Sequence, residues 1–254
     1  CSRQRKGKKN ARTVIFLLRS PGYTISRMDQ RLKGKRAVVT GATRGIGHAI
    51  SRRLLQEGAS VILCSRSRED SEKVADELSA ATGGTAKGFP ADVSKRDDVE
   101  KLFQFATSEF AGLDILINNA GVGIFKSVAE LTPDEWDRLI GINLSGTFYC
   151  SRAALPALIE SGDGFIVNIS SLAGKNPFAG GAAYNASKFG MNGFSEAMMM
   201  DHRHDNIRVS YVMPGSVDTG FTAGGSGARW KIASEDVAET VEMVLTLPKR
   251  TLAR

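Results

Sequence analysis

The stretch RAVVTGATRGIG, residues 36–47, decides the fold. Residues 36–40 form a short apolar run with β-branched side chains, which reads as a strand buried on both faces. Glycines follow at Gly41, Gly45 and Gly47, and a helical pattern continues to about Glu57. A glycine-rich turn from strand into helix lets the backbone approach an anion and aims the positive helix N-terminus at it. In this context Gly41, Thr43, Arg44, Gly45, Ile46 and Gly47 are candidate contacts for the pyrophosphate of a dinucleotide. An ordinary tight turn of the same composition is the alternative.

The same alternation repeats downstream. SVILCS (60–65), TAKGFPADV (85–93), LDILINNAG (113–121), GFIVNISS (164–171) and IRVSYVMP (207–214) read as strands, the third weakened by Gly88 and Pro90. Helical patterns fall between them over about 69–81, 95–111, 132–160 and 182–204, and a last one runs from a cap at Ser234 to about Leu247. Thr132 followed by Pro133 has the form of a helix start. Apolar strands alternating with helices predict an α/β fold: a single doubly wound Rossmann-type domain over residues 28–254. Its parallel sheet would have six strands, or seven if one follows the last helix, with helices on both faces.

Composition agrees. At 254 residues, 42% hydrophobic and 24% charged, the chain can bury a large core. The net charge of +7 is concentrated in residues 1–27, which hold eight Lys or Arg and no acid and so leave −1 for the rest. The basic balance therefore belongs to a leader and gives no support for nucleic-acid binding by the domain. Because Met28 opens a natural domain start, this leader reads as an upstream extension or a fragment boundary, poorly ordered. A targeting peptide or a nucleic-acid arm are the alternatives. Cys1, Cys64 and Cys150 have neither metal-ligand spacing nor a disulfide framework, which predicts no metal site and a reducing cytoplasm. TVIFLL (13–18) is far too short for a membrane span.

AAYNASKFG (182–190) sets Tyr184 and Lys188 one helical turn apart on one face. A cation beside a phenol favours the phenolate and lowers its pKa, which would tune Tyr184 as a proton donor. On these residues alone, a surface lysine lying along an exposed tyrosine is the other reading.

TGATRGIG (40–47), NNAG (118–121), Asn143, Ser171, Tyr184 thirteen residues later, Lys188 and PGSVDTG (214–220), in this order, resemble the short-chain dehydrogenase/reductase family. The resemblance spans about Leu32 to Leu247. It implies an enzyme that moves a hydride between a nicotinamide cofactor and a carbonyl or secondary alcohol. By the same resemblance Tyr184 would be the general acid or base, and Lys188 would lower its pKa and hold the nicotinamide ribose. Ser171 would donate to the substrate oxygen, and Asn143 would hold a water of a proton relay. Asp92 and Val93 would meet adenine. Asn119, Ala120, Gly121, Pro214, Gly215 and Val217 would line the cofactor, and Thr219 would touch its carboxamide.

The second strand ends in Ser65 and Arg66 where NAD enzymes place an acid. With Arg44 in the glycine turn, two guanidinium groups suit a 2′-phosphate, so NADP(H) is the predicted cofactor. Pairing of Arg66 with Glu69 or Asp70 is the alternative. Phe125, Leu172, Phe178, Phe221 and Trp230 are expected to wall a pocket for a small-molecule carbonyl or alcohol substrate, apolar and of modest size. Gly220 to Ile232 would form a mobile lid. His202 and His204 read as helix-end residues rather than ligands, and Met198, Met199 and Met200 as packing. Family members continue into a seventh strand, whereas this sequence stops at KRTLAR, which puts that strand's contacts in doubt. The helices from near Thr132 and Ala182 remain as the expected interface of a homodimer or homotetramer. A 3-oxoacyl-[acyl-carrier-protein] reductase, using Arg138, Arg152 and Lys175 for an acidic carrier, stays open. So does a catalytically silent NADP-binding sensor or scaffold, although the full Tyr–Lys set argues against it.

Overall fold

Strands β1 (Arg36–Thr40), β2 (Ser60–Ser65), β3 (Ala86–Pro90), β4 (Ile115–Asn118), β5 (Gly164–Ile169) and β6 (Ile207–Val212) build one sheet in the computed structural model. The model describes residues 30–221, 230–249 and 251. The strand order is β3-β2-β1-β4-β5-β6, and every pairing is parallel. Helices α1 (Gly45–Gln56), α2 (Arg68–Thr82), α3 (Arg96–Phe110), α4 (Pro133–Ile140), α5 (Gly146–Glu160), α6 (Ala182–His202) and α7 (Ser234–Thr246) connect and cover it. This is the doubly wound α/β domain read from the sequence, with six strands among the described residues. The basic leader and residues 222–229 of the expected lid lie outside the described residues.

Alternation along the strands explains the two layers. Successive side chains point to opposite faces. Ala37 and Val39, with Val61, Leu63, Ile115 and Ile117, pack on α1, α2 and α7. Val38, Ile62, Leu116 and Ile166 point the other way, onto α3, α5 and α6. Neither face meets water, which is why these strands are continuous apolar runs. Gly88, read as a weakness of β3, has a packing reason. A Cβ there would lie 2.3 Å from the Ser71 carbonyl carbon and 2.4 Å from the Glu72 nitrogen, so α2 lies directly on the strand.

Some boundaries differ from expectation. The predicted helix over 132–160 is broken by a π-helical turn, Gly141–Ser145. Thr132 does cap α4, its hydroxyl accepting the Glu135 N–H while the Glu135 carboxylate accepts the Thr132 N–H. Ser234 is not a cap. Ala233 holds that position, and the Asp236 carboxylate accepts its N–H at 2.9 Å. Ser171 lies beyond the end of β5, and Asp92 and Val93 lie beyond the end of β3. Met198 and Met199 are buried against the sheet, but Met200 is exposed. His202 Nδ1 lies 2.8 Å from the Asp205 carboxylate at the end of α6.

Two glycines should respond to alanine with opposite signs. Gly88→Ala should destabilise by about 1–3 kcal/mol, because backbone atoms must move to admit the methyl. Gly193→Ala, in mid-α6 with nothing within 4 Å of the new methyl, should stabilise by about 0.5–1 kcal/mol. Urea unfolding of both variants checks the pair.

Candidate active site

All strands end at the same edge of the sheet, and the order reverses between β1 and β4. Connections leave that point in opposite directions, which opens a crevice outside the carboxyl ends. A cleft of about 1250 Å³ runs along this edge. It exceeds the roughly 300–1,000 Å³ typical of a single ligand pocket, so it has room for two molecules side by side.

The glycine turn forms one end. Gly41 and Gly45 have φ of +64° and +55°, the left-handed region that glycine enters at little cost. Gly47 is different. A Cβ there would sit 2.3 Å from the Gly41 carbonyl oxygen, and the residue is buried under the turn without lining the cleft. Gly47 thus serves the close packing of helix on strand. Thr43, Arg44, Gly45 and Ile46 do line the cleft, where the first N–H groups of α1 lack helical partners.

Thr40 and Asn119 staple this turn to the end of β4. The Thr40 hydroxyl accepts the N–H groups of Asn119 and Ala120, each at 3.0 Å. Asn119 Nδ2 donates to the carbonyls of Thr40 and Gly41 at 2.9 and 3.0 Å. The Thr40 role escaped the sequence reading; a hydroxyl residue closing a strand just before the glycines is the signal that points to it. Ser65 and Arg66 border the same end, with Asp92 and Val93 beyond. Arg44 and Arg66 are exposed, and neither pairs with a carboxylate among the described residues. Arg66 thus makes no pair with Glu69 or Asp70; Arg68 pairs with Glu72 instead, at 3.0 Å. Lys73, on α2, adds a cation to this wall that the sequence did not single out.

Tyr184, Lys188 and Ser171 meet at the other end. Lys188 is buried and donates to the Ile169 carbonyl at 2.8 Å, with Nζ 5.8 Å from the centre of the Tyr184 ring. Ser171 precedes a short 3-10 turn, Leu172–Gly174; its hydroxyl accepts the Ala173 N–H at 3.1 Å and lies close enough to the Tyr184 phenol to oppose the rise in its pKa. Ser170 instead donates to Asn192 at 2.6 Å. Burial raises the pKa of Tyr184 above its ordinary value, and the Ser171 hydroxyl opposes this. Burial also lowers Lys188 from 10.5 to about 8. The expected net lowering of Tyr184 by its neighbouring cation is therefore not seen, because removal from water dominates at both groups.

Asn143 lies in the π turn, fully buried, and does not line the cleft. Its Oδ1 accepts the Val122 N–H at 2.8 Å, and its Nδ2 donates to the Val122 carbonyl at 3.0 Å and to Ser187 at 3.2 Å. Both ends of the amide are thus engaged in fastening the loop after β4 to α6. The rest of the sequence-predicted set, Ala120, Gly121, Pro214, Gly215, Val217 and Thr219, lines the cleft. Asn185 also went unread. It donates to the carbonyls of Ala173 and Asn176 at 2.6 and 3.4 Å and accepts the Phe178 N–H at 3.4 Å, tying α6 to the segment that follows Ser171.

The sequence profile of the short chain dehydrogenase family matches residues 35–228. The chain belongs to that family. An uncharacterized oxidoreductase of Staphylococcus aureus is 37% identical over 219 residues, 86% of this chain and 94% of the relative. Among solved structures, an alcohol dehydrogenase from the archaeon Thermococcus sibiricus, complexed with 5-hydroxy-NADP, superposes with a TM-score of 0.82 at 31% identity, covering 87% and 94% of the two chains. A metagenomic short-chain oxidoreductase in complex with NADP superposes with a TM-score of 0.78 at 40% identity, covering 88% and 96%. Among the described residues of this family member, no helix is long and apolar enough to cross a membrane.

Burial of Lys188 has a stability consequence of defined sign. The unfolded amine keeps its proton to about 10.5, whereas the folded one releases it near 8. Between these values the unfolded state binds more protons, so stability rises with pH. The full effect is about 3 kcal/mol. Tyr184, shifted upward, acts oppositely only above its ordinary value of 10. Urea unfolding at pH 7 and pH 9.5 should show about 2 kcal/mol of this gain in the native protein and none in Lys188→Met.

Proposed function

We propose that this protein is an NADP(H)-dependent oxidoreductase that interconverts a carbonyl group and a secondary alcohol, with Tyr184 as general acid and base. One observation carries the reading: the Tyr184 phenol, the Ser171 hydroxyl and the buried Lys188 amine converge in a cleft whose far end holds the glycine turn and two arginines. The residues fit a dinucleotide. Gly41 and Gly45 line the cleft at the start of α1, where backbone N–H groups can meet a pyrophosphate, and Arg44 and Arg66 offer guanidinium groups to a ribose 2′-phosphate. The NADP ligands of two similar structures support this cofactor. When bound, it supplies or accepts the hydride.

The protein's own work is at the oxygen. In the reducing direction the Tyr184 O–H delivers its proton to the substrate oxygen while the Ser171 hydroxyl holds that oxygen and stabilises its developing charge. The phenolate left behind forms in a dry site, where the Lys188 ammonium favours it more than water would. Asn143 acts through others, by holding Val122 and Ser187 and hence the seating of α6.

The carrier-protein reductase is less well supported. Of its three basic candidates, Lys175 adjoins the cleft-lining Leu172 and Asn176, whereas Arg138 and Arg152 do not line it. A silent scaffold has no need of the converged Ser171, Tyr184 and Lys188. Exposed Trp136 on α4, Phe148 on α5 and Phe189 on α6 support a homodimer or homotetramer through these helices. Free, buried Cys64 and Cys150 agree with a reducing compartment such as the cytoplasm.

Tyr184→Phe should lower turnover by about 10²–10⁴-fold with NADPH affinity within about twofold of native; equal loss of both would sink the assignment. Arg66→Asp should weaken NADPH about tenfold or more and NADH hardly at all, each read by fluorescence titration. An equal effect on the two cofactors would remove the 2′-phosphate argument.

A further inference from the structure

Resting on the assignment of Tyr184 and Ser171 to the substrate oxygen, we infer that the site selects ketones bearing an aromatic ring next to the carbonyl, and the corresponding aryl carbinols. The wall around the phenol is built of rings from three separate loops. Phe125 follows β4, Phe178 precedes α6 and Phe221 follows β6. Ring centres lie 5.3 Å apart for Phe125 and Tyr184, 5.8 Å for Phe125 and Phe178, and 6.1 Å for Tyr184 and Phe221. The interplanar angles are 50–69°, so the rings are tilted rather than stacked, with Phe125 and Tyr184 edge to face.

These side chains are not finished core. Phe125, Phe178 and Phe221 are 43%, 46% and 42% exposed, and Leu172 beside them is 48% exposed. A contiguous apolar surface left open at a cleft marks a ligand-binding surface. Its shape is also specific. A Cβ on Gly123 would lie 2.8 Å from the edge of Phe125 and 2.8 Å from the edge of Phe221. The glycine lets the two rings converge from different loops over the same spot, beside the phenol that both contact. A flat ring attached to the carbonyl carbon can meet their edges and faces, an arrangement worth about 0.5–1.5 kcal/mol beyond its area for each good aromatic pair. A saturated ring of the same size has no such term, and a linear acyl chain must also give up rotational freedom.

Charge points the same way. The carboxylates that line the cleft, Asp70, Glu77 and Asp92, all lie at the α2 and β3 end. Among the described residues none faces the aromatic end, so an organic cation finds no counter-charge there.

The test compares acetophenone with cyclohexyl methyl ketone and 2-octanone, using the full chain and NADPH, together with Phe125→Leu and Phe178→Leu. Acetophenone should be reduced with kcat/KM at least about tenfold above the other two, and each variant should shrink that ratio at an unchanged thermal midpoint. Saturation-transfer NMR should show contact of the acetophenone ring with the native protein, and less with Phe125→Leu. Turnover of all three ketones without aromatic preference, or variants that lose the same factor on each, would overturn the inference and leave the oxidoreductase reading standing. No turnover of any ketone, together with no transfer to the ring, would overturn both.

Discussion

Four hydrogen bonds at the switch point between β1 and β4 hold the site open in its working shape. They run between Thr40 and Gly41 on one side and Asn119 and Ala120 on the other. Without them the turn would keep the Ala42 N–H on the Cys64 carbonyl of β2, at 3.1 Å, but no hydrogen bond from Thr40 or Gly41 to the residues that follow β4. With the staple in place, the start of α1 and the loop after β4 form one wall. Gly47 completes it from below, since its missing side chain is what allows the helix to press on the turn. Dinucleotide contact and core packing are therefore one arrangement, and a substitution at this corner changes both.

Desolvation sets the chemistry at the opposite end. Lys188 is deep enough for burial to outweigh every other influence on its amine, which donates to the Ile169 carbonyl and lies farther from the Met191 sulfur. Tyr184 is pushed the other way by the same removal from water, with Ser171 as the opposing partner. Both shifts favour the neutral forms. Lys188 therefore releases its proton at lower pH than Tyr184 does, and a charge that develops on one is felt strongly by the other in a site where water screens little.

Most of the fold was legible because its signals are local. Five residues of apolar run, a glycine turn and a helical period are enough to mark β1 and α1, and repetition of that unit leaves few topologies. Site membership was also largely legible, from motifs that lie at strand ends. What escaped depends on partners far away in the chain. Thr40 matters because of residues 79 and 80 positions later, and Asn143 because of Val122 and Ser187. Composition does not reveal that the Asn143 amide is fully engaged, or that Gly88 faces the backbone of α2. The helix over 132–160 carries an unbroken pattern, so its interruption had no local mark either. Ser234 illustrates the reverse error, since a good cap residue stands one position too late and the Asp236 carboxylate serves Ala233 instead.

The π turn at Gly141–Ser145 acts as a phase adjuster between two packed surfaces. Before it, Leu139 is the buried residue of α4; after it, Cys150, Ala154 and Leu158 of α5 form the seam against the sheet. Each residue of an α-helix turns the chain by roughly 100°. A π turn holds one residue more than an α turn, so it absorbs the roughly 100° that an added residue would otherwise impose on everything after it, and the α5 seam stays on its layer. Asn143 stands where the helix widens in this way, and from there its buried amide reaches both Val122 and Ser187.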